Sequence, residues 1–174
     1  METKMTKEQM IGLSIVEVYK PTRRDYDIME YVDLVVAQQS KDPASKVGGA
    51  LVDDNEILMT GFNQLPDGCK DLPERYERPL KYEWINHAEP TTIINAAREG
   101  IATKGCDFFL NWYPCHICAG FIVQAKIRRL FVDQEPEWEH EKWGWSFKIA
   151  KDKLAEGGVE VIVMNYDAHR QGNI

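Results

Sequence analysis

The chain lacks most of the features that mark specialised classes of protein. Only 4 of its 174 residues are cysteine, too few to staple a chain of this length into a disulfide framework. No apolar run approaches the roughly 18 residues that a membrane-spanning helix needs. The best apolar stretch near the start, residues 11–18, is broken by Glu17 and has no small-residue cleavage site behind it, so no secretory leader is expected. Internal repeats and low-complexity tracts are absent. Positive charge is in deficit, with 21 Lys and Arg against 28 Asp and Glu and a net charge of −7. Non-specific polynucleotide affinity comes from basic side chains neutralising phosphates, so no polynucleotide partner is expected. A local basic pocket for one small phosphate stays compatible with that balance. A soluble, cytoplasmic protein without a membrane partner is the expectation.

What remains is an ordinary globular composition, 44% hydrophobic and 28% charged. A chain of this size buries roughly 70% of its extended surface, enough for one core and one domain. The domain is expected over residues 25–166, between an N-terminal extension (1–24) and a polar tail (167–174). A helix is predicted from Asp25, which would cap it, to about Ser40, with Ile28, Tyr31, Val32, Val35 and Val36 on one face. Short strands over 47–52 and 57–62, joined by Asp53-Asp54-Asn55, predict a hairpin.

Residues 63–86 then show no clean period and contain three prolines; connections that long are often functional. Beyond them the pattern alternates. Helices are predicted over 87–99, 114–126 with Pro114 at its start, and 146–156. Strands are predicted over 106–112, 129–132 and 159–164. Strand-helix-strand alternation implies a largely parallel half-sheet. With the hairpin, the fold class is α/β: a mixed five-stranded sheet covered by helices.

The chemistry concentrates in His87-Ala88-Glu89 and in Pro114-Cys115-His116-Ile117-Cys118, with Cys115 28 positions after His87. Both segments begin predicted helices, and helices of such units start at one edge of the sheet, so their N-termini can converge. One imidazole and two thiolates, from His87, Cys115 and Cys118, would supply three ligands to a tetrahedral Zn²⁺ and leave the fourth position for water. Zinc lowers the pKa of such a water to about 7. Glu89, one residue past Ala88 and within the first turn, can reach that water without being a ligand. It would act as the catalytic acid and base: it takes the water proton, protonates a ring nitrogen and passes a proton to departing ammonia. The pattern His-x-Glu with Pro-Cys-x-x-Cys is the signature of zinc nucleobase deaminases.

Other readings compete. A structural zinc would need a fourth ligand from Cys69, Cys106, His116 or His140 and would leave Glu89 without a task. Cys106, beside Phe108-Phe109-Leu110, reads as a buried thiol. His116 is expected to face solvent. His140 sits in a strongly acidic stretch, residues 135–141, expected to be solvated, with closure of a pocket by this Trp138-bearing loop as the alternative.

On these residues the chain resembles the deoxycytidylate (dCMP) deaminases of the cytidine-deaminase superfamily, from about Tyr26 to Val163. The likeness is also carried by Ser40-Lys41-Asp42-Pro43 with Val47-Gly48-Gly49-Ala50, and by Gly61-Phe62-Asn63 with Pro66-Asp67-Gly68. The resemblance implies a three-layer α/β/α sandwich and the hydrolysis of dCMP to dUMP and ammonia, in pyrimidine deoxynucleotide metabolism. It implies a sugar contact at Asn63 and help with the phosphate from Ser40 and Lys41. It also implies a homohexamer with dCTP and dTTP as effectors, bound near Gly61, Gln64 and Gly68. Ala88 and Tyr113 are further expected substrate contacts, the tyrosine ring packing on a flat base. Two departures stand out. Gln64 replaces a family glycine that permits close backbone approach, and Pro90-Thr91-Thr92 follows Glu89 where the family commonly has x-Asn-Ala. The alternatives are a zinc deaminase for a modified dCMP, dCTP, a nucleoside or a free base, and a non-catalytic zinc-stabilised binding module.

Overall fold

The computed structural model describes residues 19–166. The expected N-terminal extension, up to residue 18, and the expected polar tail lie outside the described residues. The first helix, α1 (Arg23–Tyr31), starts two residues ahead of expectation. Its N-cap is Thr22, and Asp25 is the third helical residue. The Asp25 carboxylate accepts from the Thr22 backbone nitrogen while Asp25 N–H donates to the Thr22 hydroxyl, a reciprocal capping box. The helix then widens into a π turn (Val32–Val36) and tightens into a 3₁₀ turn (Ala37–Gln39). The wide turn rotates the apolar face. Ile28, Met29, Val32, Val36 and Ala37 are buried, whereas Tyr31 and Val35, expected inside, are exposed.

Strands β1 (Gly48–Asp53) and β2 (Glu56–Phe62) form the expected hairpin, with a register shift at Leu51/Val52. Asp54 and Asn55 take positive φ angles in its turn, as a two-residue hairpin loop requires. The long connection carries a 3₁₀ turn (Pro73–Tyr76) and a one-turn helix α2 (Lys81–Trp84). Its two ends are tied together: Gln64 N donates to Asn86 O at 3.1 Å and Asn86 N donates to Gln64 O at 2.8 Å. The excursion therefore closes on itself and returns the chain to the end of β2, where α3 (Ala88–Arg98) begins.

The remaining elements are β3 (Asp107–Leu110), α4 (His116–Gln124), β4 (Arg129–Val132), α5 (Gly144–Glu156) and β5 (Glu160–Val163). The sheet order is β2-β1-β3-β4-β5. β1 runs antiparallel to both neighbours, while β3, β4 and β5 are parallel. Alternation along the strands divides the core between two faces. Leu51, Phe108, Leu110, Leu130 and Val132 meet Ala96, Ala119, Ile122, Phe147 and Leu154 from α3, α4 and α5. On the other face Ala50, Val52, Phe109, Phe131 and Ile162 meet Ile28 and Met29 of α1 and Val32 of the π turn. The result is the expected three-layer α/β/α sandwich. No helix among the described residues is long and apolar enough to cross a membrane.

Candidate metal centre and active site

Two helix N-termini converge at one end of the sheet. His87 is the N-cap of α3 and Cys115 the N-cap of α4, so both metal-ligand candidates occupy the half-helical position at which backbone N–H groups point outward. Pro114, expected inside the helix, precedes the cap. Cys118 follows Cys115 by one turn of α4. His87 Nδ1 lies 3.7 Å from Cys115 Sγ and 3.4 Å from Cys118 Sγ, and the three donor atoms fall within 4.8 Å of one another.

Zn–S and Zn–N bonds of about 2.3 and 2.0 Å at tetrahedral angles place ligand atoms roughly 3.5 Å apart, so the trio fits a zinc ion. None of the expected fourth-ligand candidates, Cys69, Cys106, His116 or His140, joins the group among the described residues. The protonation pattern also suits a cation. The Cys115 thiol is lowered to about 3, first by its hydrogen bond with Cys118 and then by His87, with burial opposing. The Cys118 thiol is pushed up by the same bond and by burial. His87 is raised, chiefly by Cys115. Metal ligation needs both sulfurs as thiolates, so a divalent ion held here would displace a thiol proton.

Glu89 occupies the first turn of α3 and is 4% exposed. Burial raises its carboxyl above the ordinary value, with opposition from His87. A carboxyl raised in this way is a stronger proton acceptor than an ordinary carboxylate, as acid-base chemistry on a substrate requires.

His87, Cys115 and Glu89 open onto one cavity, and Cys118, 2% exposed, lies outside its lining. Val47, Ala88, Tyr113 and Phe147 give it apolar walls, Asn63, Asp42 and Lys81 give it a polar side, and Tyr82, Trp112 and Trp143 stand at its edge. Ala88 is fully buried at the first turn of α3. The Tyr113 ring meets Trp138 and Phe147 edge-on, at centroid distances of 5.6 and 5.9 Å. Its hydroxyl is raised to about 12 by burial and by Glu135.

Asn63 is held from three directions. Its Oδ1 accepts from Val47 N at 2.9 Å, its Nδ2 donates to Ser45 O at 2.9 Å, and the same Nδ2 lies 3.4 Å from Asp42 Oδ2. One Oδ1 lone pair is left for a ligand.

The structure does not bring Ser40 and Lys41 to this cavity. Ser40 is buried behind Asn63, donating to Asn63 O at 2.8 Å and accepting from Asp42 N. The Lys41 side chain is 65% exposed, pairs with Asp71 and faces a second, more open hollow with Gln64, Gly68 and Tyr76. Gly61, expected in that hollow, lies instead in β2 against α3, where an added Cβ would sit 2.6 Å from Thr92 N. The threonines after Glu89 turn their hydroxyls back onto the helix, Thr91 to His87 O and Thr92 to Ala88 O, both at 2.8 Å.

Several wall residues carry no signal in the sequence. Lys81, in the connection without a period, is buried and bonds both oxygens of Asp42, at 2.6 and 2.9 Å. Asp42 also accepts from Ala44 N and Ser45 N. The uneven pattern of 63–86 marked the region as functional but not the residue. His116, expected to face solvent, is half-buried: Nδ1 lies 2.9 Å from Ser146 Oγ and the ring packs on Trp145. No residue of the 135–141 stretch lines the cavity; Trp143, just beyond it, does.

Comparison with known proteins agrees with this geometry. Residues 22–134 match the family described as the cytidine and deoxycytidylate deaminase zinc-binding region. An uncharacterised deaminase from the luxG 3′ region of Aliivibrio fischeri is 33% identical over 133 residues, covering 76% of this chain and 88% of that protein. The human deoxycytidylate deaminase is 39% identical over 125 residues, covering 66% and 69%. Among solved structures, the dCMP deaminase of cyanophage S-TIM5 in complex with dCMP and dUMP shares the fold with a TM-score of 0.68. It is 24% identical and covers 84% of this chain and all of that one.

Proposed function

The chain belongs to the cytidine and deoxycytidylate deaminase family, and from that premise we propose that it hydrolyses dCMP to dUMP and ammonia with one zinc ion. The observation that carries this reading is the meeting of His87, Cys115 and Cys118 beside a cavity that His87, Cys115 and the buried Glu89 line. A bound zinc supplies the Lewis acidity that makes water nucleophilic near neutral pH. His87, Cys115 and Cys118 would hold it. Glu89 removes a proton from the attacking water and delivers it to the ring nitrogen. It then transfers the second water proton to the leaving amine, so that water and dCMP balance dUMP and ammonia. Asn63 orients the sugar with its free lone pair, and Tyr113, Ala88 and Phe147 enclose the base.

The relatives' names also support a place in deoxynucleotide metabolism. The half-exposed apolar side chains Ile117, Phe121, Trp145 and Ile149 on α4 and α5 support self-association, with a hexamer as the assembly the resemblance implies. The hollow around Gln64 and Gly68 supports a place for dCTP or dTTP. A second reading, an unphosphorylated cytosine compound as substrate, draws on the cancellation of the wall cation Lys81 by Asp42.

The test is ammonia release by zinc-loaded protein from dCMP, dCTP, CMP, deoxycytidine and guanine, with and without dCTP or dTTP. Preferred turnover of dCMP is the expected result. Preference for deoxycytidine selects the second reading, and inactivity on every cytosine compound rejects both.

A further inference from the structure

With the reacting base at the cavity floor beside Glu89, the phosphate end of a mononucleotide emerges at the rim. A phosphate dianion is best met there by a cation that no carboxylate already holds. Lys81 fails that condition because both Asp42 oxygens hold it. Lys41 pairs with Asp71 at the other hollow. Lys46 donates to the backbone oxygens of Ser40 at 2.6 Å and Gln38 at 3.3 Å.

Lys142 is placed differently. Its Nζ lies 3.8 Å from the centroid of the Tyr82 ring and 5.2 Å from that of Trp143, and both rings line the cavity. No carboxylate among the described residues lies within ion-pair distance of it. A ring face braces an ammonium without cancelling its charge. The Tyr82 phenol is shifted down, first by Lys142, with Arg78 and Lys81 adding to the shift. Tyr82 comes from the long connection and Lys142 from the loop between β4 and α5, so their contact joins two separate loops beside the cavity.

Resting on the deaminase reading above, we propose that Lys142, braced on the ring of Tyr82, is the specificity-determining cation that binds the 5′-phosphate of the substrate at the cavity mouth. The side chain acts on the phosphate alone and leaves the reacting base untouched. A phosphorylated ligand therefore gains from it and the matching nucleoside does not.

The experiment compares wild type, Lys142→Ala, Lys142→Arg and Lys41→Ala as zinc-loaded full chains. Binding of dUMP and deoxyuridine is measured by calorimetry, and turnover of dCMP and deoxycytidine by ammonia release. The expected result is that Lys142→Ala narrows the dUMP-to-deoxyuridine affinity ratio about tenfold, the loss of one charge-assisted hydrogen bond. Nucleoside binding should stay unchanged, Lys142→Arg should retain most of the ratio, and Lys41→Ala should retain all of it. An unchanged ratio in Lys142→Ala, an equal loss for both compounds, or no preference for dUMP in the wild type overturns the proposal. Ammonia release from dCMP together with an unchanged ratio would leave the deaminase reading standing alone. A Lys142-dependent ratio without any deamination would reverse that outcome.

Discussion

Ser146 Oγ lies 3.0 Å from the backbone nitrogen of His116 and accepts its hydrogen bond. The N-cap of α4, Cys115, offers no side-chain cap of its own, so a fully buried serine on α5 satisfies one of the open donors of the turn that carries both thiols. Ser146→Ala removes that cap. It should lower stability by about 1 kcal/mol and speed zinc loss to a chelator, because the Cys115–Cys118 turn is less fixed. Denaturant melts and a chelator competition check the two effects separately. Unchanged zinc release would show that the turn is held by other contacts.

Glu89→Gln keeps the volume and polarity of the buried side chain and removes its capacity to carry protons. Turnover should fall by about 10²–10⁴-fold, the usual contribution of a positioned acid-base group. Metal analysis should still find one zinc per chain, since Glu89 stands outside the trio of donors. Loss of zinc together with activity would make Glu89 a structural element of the centre.

How much of this centre could be read from the sequence follows from the range of each interaction. His87 and Glu89, and likewise Cys115 and Cys118, are brought together within one helical turn, so their spacing alone announces them. The strands of the half-sheet were equally legible, because Phe108, Leu110, Leu130 and Val132 alternate with Phe109 and Phe131 between two buried faces. Lys81 and Asp42 are 39 positions apart, and only the tied ends of the long connection bring them together. Lys142 and Tyr82 likewise belong to two irregular loops. The π turn after α1 was hidden for another reason: it is an adjustment to packing, and Tyr31 and Val35 are as apolar as the residues that took their place.

The buried pair of Asp42 and Lys81 predicts a non-additive result. Lys81→Met strands the Asp42 carboxylate without its cation and should cost about 3–5 kcal/mol. Asp42→Asn combined with Lys81→Met leaves an amide oxygen for the N–H groups of Ala44 and Ser45 and no buried charge, so it should recover most of that loss. A double-mutant cycle by urea unfolding checks this. Simple additivity of the two single effects would mean that the pair is solvated through the cavity.

The Tyr113 hydroxyl is raised to about 12 in the folded chain, by burial first and Glu135 second, from an ordinary value of 10.0. A group raised on folding contributes its stability in full below the unfolded value and loses it as pH climbs through the folded one. The protein should therefore weaken between about pH 10 and 12, and Tyr113→Phe should flatten that part of the profile. Thermal melts across alkaline pH read this directly, and an identical slope in the variant would mean that the phenol titrates normally.

Gly61→Ala tests what that glycine is for. Its added Cβ would lie 2.6 Å from both Thr92 N and Thr92 Oγ1 and 2.9 Å from Thr92 Cα, so β2 and α3 would have to separate. Overpacking of that kind costs about 1–3 kcal/mol. It also moves the helix that carries His87 and Glu89, so a fall in kcat should accompany the fall in stability. Trimming the partner should restore little. Thr92→Ala removes Oγ1 but leaves the backbone nitrogen in the way, and it also deletes the hydroxyl that caps Ala88 O. If Gly61→Ala instead kept its stability and basal turnover and altered only the response to added dCTP or dTTP, the glycine would belong to an effector site. The close approach to α3 would then be the less important of its two neighbourhoods.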